Sequence, residues 1–363
     1  MNRRKLLSSN AVGAASLRLA APAIAETAPV IKWRLISSFP KTLDILFGAA
    51  ELIAKRVAGL TDERFQISTF AAGEIVPGLK VLDAVQNGTV ECGHGPSYFY
   101  VGKDPTFAFD TTIPFGLNTR QQNAWMYQGG GLELMREFFQ SYNVRQFPAG
   151  NSGAQMGGWF RKEINTADDL KGLRFRIPGL AGRIFAKLGV VPQQIVPSDI
   201  YPALERGTID AAEFVGPYDD EKLGLYRVAP YYYYPGWWEG SAQGSLFVNI
   251  DQWGTLPASY QAAIEVASAE ANGWMVARYD AGNMPALRRL AAGGAKLRPF
   301  SKEIMDSCFN AAFAVYDEIA ADNPNFKKVY EAWKPFRKDI DFWFRVAENS
   351  FDSFIYAKSA QGA

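Results

Sequence analysis

The sequence predicts an α/β protein made of two similar lobes with a cleft between them. A chain of 363 residues is long enough for about two domains of ordinary size. Its opening segments have the patterns of a strand, a helix and a strand, which is typical of a sheet with helices on its faces. A ten-residue pattern at 82–91 recurs at 201–210, and this repeat indicates that the two lobes resemble each other.

Apolar spacing assigns the elements of the first 250 residues in order. Residues 31–37 predict a strand, 43–60 a helix with apolar positions on one face, and 65–70 a strand with alternating burial. Later segments continue the alternation, with helices at 130–142 and 181–188 and strands at 144–147, 173–177 and 190–196.

Each copy of the repeat predicts a short amphipathic helix that ends at a glycine and is followed by a strand. Gly88 and Gly207 stand where a helix often ends in a left-handed residue, and a β-branched pair follows each of them. Similar lobes predict a cleft between them, which is a common place for a small-molecule site.

The C-terminal third is predicted to be helical. Residues 257–293 have helical spacing that we expect to break near 282–285, and two further helices are predicted at 302–321 and 325–358. The last of these must pack on its own lobe or on another subunit because it is unusually apolar, with Phe342, Trp343, Phe344, Val346, Phe351 and Phe354.

The first 25 residues are predicted to be an export signal of the twin-arginine type. Arg3 and Arg4 precede an Ala/Leu-rich stretch that ends in an Ala-x-Ala motif at 23–25, although Arg18 is an unusual charge within it. The alternative is a basic N-terminus on a cytosolic protein. No later segment has the apolar length of a membrane span, so we expect a soluble, exported bacterial protein.

Composition disfavours several function classes. With 38 basic and 37 acidic residues the charge balance gives no reason to expect nucleic acid as a partner. His94 is the only histidine, which excludes His-based zinc clusters and makes a hydrolytic triad improbable, so we expect a packed or pocket-lining imidazole. Cys92 and Cys308 are expected to be unpaired structural thiols, and no phosphate-binding glycine loop is present.

Two arginines alternate with apolar residues in the strand predicted at 173–177. Arg174 and Arg176 therefore project to one face, and Arg176 is nearer to the C-terminal end, where open α/β sheets bind ligands. A guanidinium in that place can bind a carboxylate through two parallel hydrogen bonds. Arg176 is thus a candidate substrate anchor, while a solvated surface position is the alternative.

Three further residues supply oxygen ligands. Glu213 follows the second repeat, Glu239 ends a strongly aromatic segment, and Gln155 offers an amide oxygen. A carboxylate in apolar surroundings must be paired, protonated or bound to a cation, and this oxygen set suits sodium or calcium but not zinc. The alternatives are a separate salt bridge for each glutamate or a hydrolase that uses Glu213 and Glu239 as an acid/base pair.

Several segments together resemble the extracytoplasmic solute receptors of TRAP transporters, in particular the branch that binds 2-oxo and 2-hydroxy monocarboxylates such as pyruvate and lactate. The resemblance spans essentially the whole chain after the export signal. The segments are SSFP (37–40), GEIVPG (73–78), VLDAV (81–85), QMGGWF (155–160), GLRFRI (172–177) and YPGWWEG (234–240).

The resemblance implies a role for each candidate site residue. Arg176 becomes the carboxylate anchor, and Gln155, Glu213, the carbonyl of Phe214 and Glu239 surround a sodium or calcium ion that bridges to the substrate. The branch often has tryptophan where this chain has Phe214. Compared with tryptophan, phenylalanine lacks the indole N–H donor and leaves a wider pocket. Further substrate-binding candidates are Phe39, Tyr98, Tyr100 and Asn151.

The resemblance also implies a fold, a location and partners. We expect a two-lobed periplasmic binding protein fold with an interlobe cleft, a long spanning helix and C-terminal helices. Lobe I comprises 26–149 and about 241–300, lobe II comprises 150–240, and 301–363 form helices that we expect to dimerise. The receptor would be periplasmic, non-catalytic and homodimeric, and would deliver its organic acid to a membrane permease; a receptor for an ATP-driven importer remains an alternative.

Overall fold

The computed structural model describes residues 28–360, and within them the chain forms eleven β-strands and thirteen α-helices. The export signal predicted at 1–25 lies outside the described residues. The strands are β1 Ile31–Ser37, β2 Phe65–Phe70, β3 Cys92–Gly95, β4 Val144–Asn151, β5 Trp159–Phe160, β6 Arg174–Arg176, β7 Val191–Gln193, β8 Ala211–Ala212, β9 Tyr231–Tyr234, β10 Gln243–Asn249 and β11 Lys296–Pro299.

The helices cover the faces of the sheets and form the C-terminal part of the described chain. They are α1 Asp44–Leu60, α2 Val81–Gln86, α3 Ala108–Thr111, α4 Thr119–Gln128, α5 Gly131–Gln140, α6 Gly179–Lys187, α7 Pro197–Glu205, α8 Pro217–Leu223, α9 Ile250–Gly254, α10 Ala258–Ala292, α11 Lys302–Asp322, α12 Pro324–Val346 and α13 Glu348–Ser359.

The strands form two sheets with the same order of equivalent strands. The first is β2-β1-β3-β10-β4, and the second is β7-β6-β8-β5-β9 with β11 added at its edge. In each sheet the first three strands are parallel and the fourth is antiparallel to the third. The fourth strand comes from the chain as it crosses from the other lobe. The predicted α/β class and two-lobed arrangement are confirmed.

The sequence repeat occupies equivalent places in the two sheets. Its helices are α2 and α7, its strands are β3 and β8, and Gly88 and Gly207 have left-handed φ angles of 69° and 68°. Equivalent ion pairs brace the two copies. Arg34 donates to Glu91 from its backbone N at 2.7 Å and Nη2 at 2.7 Å, and Arg174 donates to Asp210 in the same way at 3.1 and 2.6 Å.

Helix α10 joins the two lobes. It packs against α1 and β4 on the side of the first sheet and against α8 on the side of the second. The predicted break near 282–285 is wrong, because α10 continues through Pro285. Tyr279, Ala286 and Leu290 are buried on both sides of this proline, so packing of the apolar face compensates for the lost backbone hydrogen bond.

Three other elements differ from the sequence prediction. The helix predicted at 325–358 is divided into α12 and α13 at Ala347. The strand predicted at 190–196 is only β7, a pairing of three residues that contains Pro192. Strand β11 pairs with β9 of the second sheet, although the prediction placed the chain up to about residue 300 in lobe I.

Both cysteines are buried and unpaired, as predicted. No helix among residues 28–360 has the length and apolarity needed to cross a bilayer.

Candidate functional site

A cavity between the two sheets contains several of the predicted site residues. The first sheet contributes Phe39, just after β1, and His94, which belongs to β3. The second contributes Arg176 from the end of β6 and Phe214 just after β8. The remaining lining residues are Leu46, Pro96, Tyr98, Phe99, Ser152, Gln155, Val215, Ala242, Gln243, Gly244 and Met275.

Arg176 is the one arginine that lines this cavity. It ends β6 beside Ala212 of the parallel strand β8, and only 3% of its surface is exposed. Its Nε donates to the Ile195 carbonyl at 3.1 Å, and its Nη1 donates to the Glu213 carbonyl at 2.8 Å and to the Glu213 carboxylate. Nη2 makes no hydrogen bond within the described residues, so this atom remains for a ligand carboxylate.

Arg174 lies on the same strand but has a different role. It forms a bidentate pair with Asp210, and 41% of its side chain is exposed. The sequence predicted Arg176 as the candidate anchor, with a surface position as the alternative. The structure brings only Arg176 into the cavity, and Arg174 lies at the surface.

Glu213 and Glu239 are buried carboxyl groups, and the charge of Glu213 makes the ionisation of Glu239 more costly. Burial raises the pKa of Glu213 to about 7, although the Arg176 charge opposes this change. Burial also raises the pKa of Glu239 well above its ordinary value, and the charge of Glu213 raises it further. Since one guanidinium cannot neutralise two carboxylates, the pair favours a bound proton or cation.

Three buried oxygens around these groups have no hydrogen-bond donor within the described residues: Gln155 Oε1, Glu213 Oε2 and Glu239 Oε2. Gln155 is oriented by its Nε2, which donates to Ser152 Oγ at 2.8 Å, and its backbone N donates to the Glu239 carbonyl at 2.9 Å. Donor-free carboxylate and amide oxygens are the ligands that sodium and calcium prefer. The residues present therefore fit the predicted cation.

Among residues 28–360, no group of three or more His, Cys, Asp or Glu side chains is close enough together to hold a metal ion. This result is compatible with the cation set, because that set has only two carboxylates and is completed by an amide oxygen and a backbone carbonyl.

Two predicted substrate ligands do not line the cavity. The Tyr100 hydroxyl accepts a hydrogen bond from the Leu82 backbone N at 3.0 Å, and its ring packs against Phe107 and Phe247 in the core of the first lobe. Asn151 is fully buried, and both ends of its amide are used: Nδ2 donates to Ser241 Oγ, and Oδ1 accepts from the Gly153 backbone N. It holds the turn that leads to Gln155.

Buried carboxyl groups that the sequence analysis missed hold the cavity loops. Asp220 accepts hydrogen bonds from Trp159 Nε1 at 2.9 Å, Tyr232 Oη at 2.6 Å and the Val215 backbone N at 3.3 Å. Burial raises the pKa of Asp220 to about 6 despite these bonds. Asp220 therefore fixes the segment that contains Phe214 and Val215.

Asp110 is a second buried carboxyl group of this kind and lies in the first lobe. It accepts hydrogen bonds from Ser97, from Ser245 Oγ at 2.8 Å and from Gln243 Nε2 at 3.1 Å, and burial raises its pKa to about 7. Neither aspartate has a sequence signal, because both lie in short helices whose burial is decided by neighbours distant in the chain.

Comparisons with known proteins agree with this architecture. A family model described as DctP, bacterial extracellular solute-binding protein, family 7, matches residues 36–323. A monocarboxylate 2-oxoacid-binding periplasmic protein of Nostoc sp. is 52% identical over 367 residues, which cover 99% of this chain and 100% of the relative.

Solved structures give the same result. A TRAP transporter solute-binding protein of Bordetella bronchiseptica, a mixed-occupancy dimer with calcium and picolinate in one site, has 52% identity and a TM-score of 0.91, over 92% of this chain and 100% of its own. A TRAP periplasmic solute-binding protein of Pseudoalteromonas atlantica with bound sodium and pyruvate has 38% identity and a TM-score of 0.87, over 89% and 98%.

These relatives are solute-binding proteins, and none of the comparisons supports the hydrolase alternative. The chain belongs to the DctP family, family 7 of the bacterial extracellular solute-binding proteins of TRAP transporters.

Proposed function

We propose that this protein is a periplasmic TRAP receptor that captures a small 2-oxo or 2-hydroxy monocarboxylate together with a sodium or calcium ion and delivers it to a membrane permease. The observation that supports this most directly is the set of three donor-free oxygens, on Gln155, Glu213 and Glu239, beside the buried guanidinium of Arg176.

The two ends of such a ligand fit the two kinds of group. The Arg176 Nη2 donates to the ligand carboxylate, and the oxygens of Gln155, Glu213 and Glu239, with the carbonyl of Phe214, hold the cation. A cation supplies charge neutralisation and coordinates the carboxylate and the adjacent keto or hydroxyl oxygen. The ligands of the relatives, pyruvate and picolinate, both have a donor atom next to a carboxylate.

Charge balance ranks the cations. Glu213 and Glu239 contribute two negative charges, Arg176 contributes one positive charge, and a monocarboxylate adds one negative charge. An uncompensated charge in a buried site is strongly disfavoured. Sodium would leave one negative charge and calcium would leave none, so the balance favours calcium.

Cation and acid should bind cooperatively, because each reduces the repulsion that the other meets, and the mutual tightening must be equal. The test is calorimetry of pyruvate binding to chelated protein during sodium and calcium titrations. We expect calcium to tighten binding at least tenfold in the wild type and to have little effect in Glu239→Gln. The matched control is Glu331→Gln, an exposed glutamate on α12.

Pyruvate affinity that is indifferent to both ions and to Glu239→Gln would show that the two glutamates are structural. Arg176 would then hold the acid without a cation.

We also propose that the C-terminal helices form a homodimer. α13 has no buried residue in the isolated chain, and the end of α12 is equally exposed. An apolar surface of this size at a terminus requires a partner, and a second copy supplies the same surface. The exposed side chains are Phe342, Trp343, Val346, Phe351, Phe354, Ile355 and Tyr356.

Light scattering tests the dimer. The wild type should have the mass of a dimer, and a chain that ends at Asp339 should be a monomer or aggregate. Phe351→Glu combined with Phe354→Glu gives a milder change that should yield a soluble monomer. A soluble dimer from the shortened chain would refute the proposal.

A further inference from the structure

The cavity contains a polar group that the proposed function does not use. His94 is fully buried and lines the cavity, and its Nε2 lies 3.2 Å from the Ala149 carbonyl oxygen. A carbonyl oxygen can only accept, so Nε2 has the proton and Nδ1 has the free lone pair. Burial lowers the pKa of His94 to about 4, which keeps the ring neutral.

Nδ1 of His94 has no hydrogen-bond partner within the described residues. The ring packs against the backbone of two glycines, Gly150 and Gly244. A Cβ atom at these positions would lie 3.7 and 3.5 Å from Nε2. The cavity is otherwise lined largely by apolar groups such as Leu46 and Met275. A buried acceptor without a donor is destabilising, so a ligand that brings a donor gains affinity.

The repeat supports the same conclusion independently. His94 stands 119 positions before Glu213, which is the spacing of the two copies. The strand registers agree, since Gly93 pairs with Ile36 on β1 and Ala212 pairs with Arg176 on β6. His94 therefore has the position in the first lobe that Glu213 has in the second, at the cleft end of the third strand.

We propose that His94 Nδ1 accepts a hydrogen bond from a hydroxyl group on the part of the substrate beyond its 2-oxo or 2-hydroxy acid end. The substrate class is then a hydroxylated 2-oxo or 2-hydroxy monocarboxylate. This inference rests on the proposed function, in which Arg176 and the cation hold the acid end. A second carboxylate is excluded because its oxygens would face the lone pair of Nδ1. An ammonium group is excluded because the neutral imidazole offers no countercharge for a buried cation.

The test compares acids that differ by one hydroxyl group, by calorimetry in calcium. The pairs are 3-hydroxypyruvate with pyruvate, and 4-hydroxy-2-oxobutanoate with 2-oxobutanoate. In the wild type we expect the hydroxylated member of at least one pair to bind about tenfold more tightly, the value of one hydrogen bond.

Variants of His94 assign the preference to Nδ1. His94→Gln can still donate to the Ala149 carbonyl but lacks an acceptor at the Nδ1 position, so the preference for the hydroxylated acid should fall to about onefold. His94→Asn can place a carbonyl oxygen near that position and should recover part of the preference.

The outcomes separate this inference from the proposed function. If the wild type binds pyruvate but prefers neither hydroxylated acid, or if His94→Gln keeps the preference, the inference is overturned and the receptor function stands. If the wild type binds none of the four acids, the proposed function itself fails. The wild-type comparison is decisive even if a variant does not fold.

Discussion

The two lobes share a scaffold and differ in chemistry. Both have the same strand order, the same helix-glycine-strand repeat and the same bidentate ion pair behind the third strand, Arg34 with Glu91 and Arg174 with Asp210. At the cleft end they diverge. The second lobe has the buried pair of Arg176 and Glu213, and the first lobe has Ile36 and His94 at equivalent positions.

From this difference we infer that the residues shared by both lobes serve the fold and that those of one lobe alone serve the ligand. The ion pairs present in both lobes are half exposed, so they add little free energy and mainly fix geometry. The pair present in only one lobe is fully buried, where an ion pair is costly unless a further partner repays its desolvation. We therefore expect the charged end of the ligand to bind to the second lobe.

The largest predicted effect is the loss of that unique guanidinium. Arg176→Ala should weaken pyruvate binding by about 2–5 kcal/mol, because the carboxylate loses a buried, hydrogen-bonded partner. Arg176→Lys should recover little, since an ammonium lacks the planar fork. Calorimetry measures both, with Arg174→Ala on the same strand as the control. Unchanged affinity in Arg176→Ala would contradict its assignment as the anchor.

The second prediction concerns pH and the cation. In chelated protein the pKa of Glu213 is raised from its ordinary value of 4.5 to about 7, so the native state holds an extra proton between these values. The unfolding free energy should therefore fall as pH rises from about 4.5 to 7. Calcium replaces the proton and should remove this loss.

Thermal melts from pH 5 to 8 with calcium or chelator provide the measurement. Burial also raises the pKa of Asp110 and Asp219 to about 7 and that of Asp220 to about 6, and these groups act alike in both conditions. The stabilisation by calcium should thus increase with pH in the wild type and less so in Glu239→Gln. A calcium effect independent of pH would argue against carboxylate ligands.

A smaller effect is expected at Asp220, the buried carboxylate that fixes the segment containing Phe214 and Val215. Asp220→Asn removes an acceptor that serves Trp159, Tyr232 and the Val215 backbone, and should cost about 1–3 kcal/mol in unfolding free energy. Pyruvate affinity should also fall because Phe214 is displaced. Denaturant unfolding measures the stability and calorimetry measures the affinity. A loss of stability without any loss of affinity would show that Asp220 stabilises the core but does not position the binding site.

The smallest effect should come from the shared ion pairs. Arg34→Ala and Arg174→Ala should each cost about 0–1 kcal/mol in unfolding free energy, since both pairs are partly exposed. Neither should change pyruvate affinity. A large effect on affinity from Arg174→Ala but not from Arg34→Ala would show that the lobes differ at these ion pairs as well as at the cleft.

Much of this could be predicted from the sequence because its signals are local. Alternating polarity identifies β1 and β2, helical spacing identifies α1 and α11, and Gly88 and Gly207 mark the ends of the repeated helices. The strand arginines and the two glutamates are visible as unusual polar residues in apolar surroundings. The family is also evident from segments that are short but numerous.

Other features depend on contacts between distant segments. α10 continues through Pro285 because its apolar face packs on both lobes, and Tyr100 is in the core because the Leu82 backbone and Phe247 surround it. No window of sequence contains these neighbours. The local pattern therefore predicted a break in α10, and the family resemblance predicted Tyr100 as a pocket residue.

The sequence by itself determined the α/β class, the repeat and the residue types that a carboxylate and a hard cation need. Only the tertiary structure decided that Arg176 rather than Arg174 meets the cavity. It also decided that, within the described residues, the oxygens of Gln155, Glu213 and Glu239 lack donors and Nδ1 of the cavity-lining His94 lacks a partner. The physical reason is that periodicity depends on neighbours in the chain, whereas burial and hydrogen-bond satisfaction depend on neighbours in space.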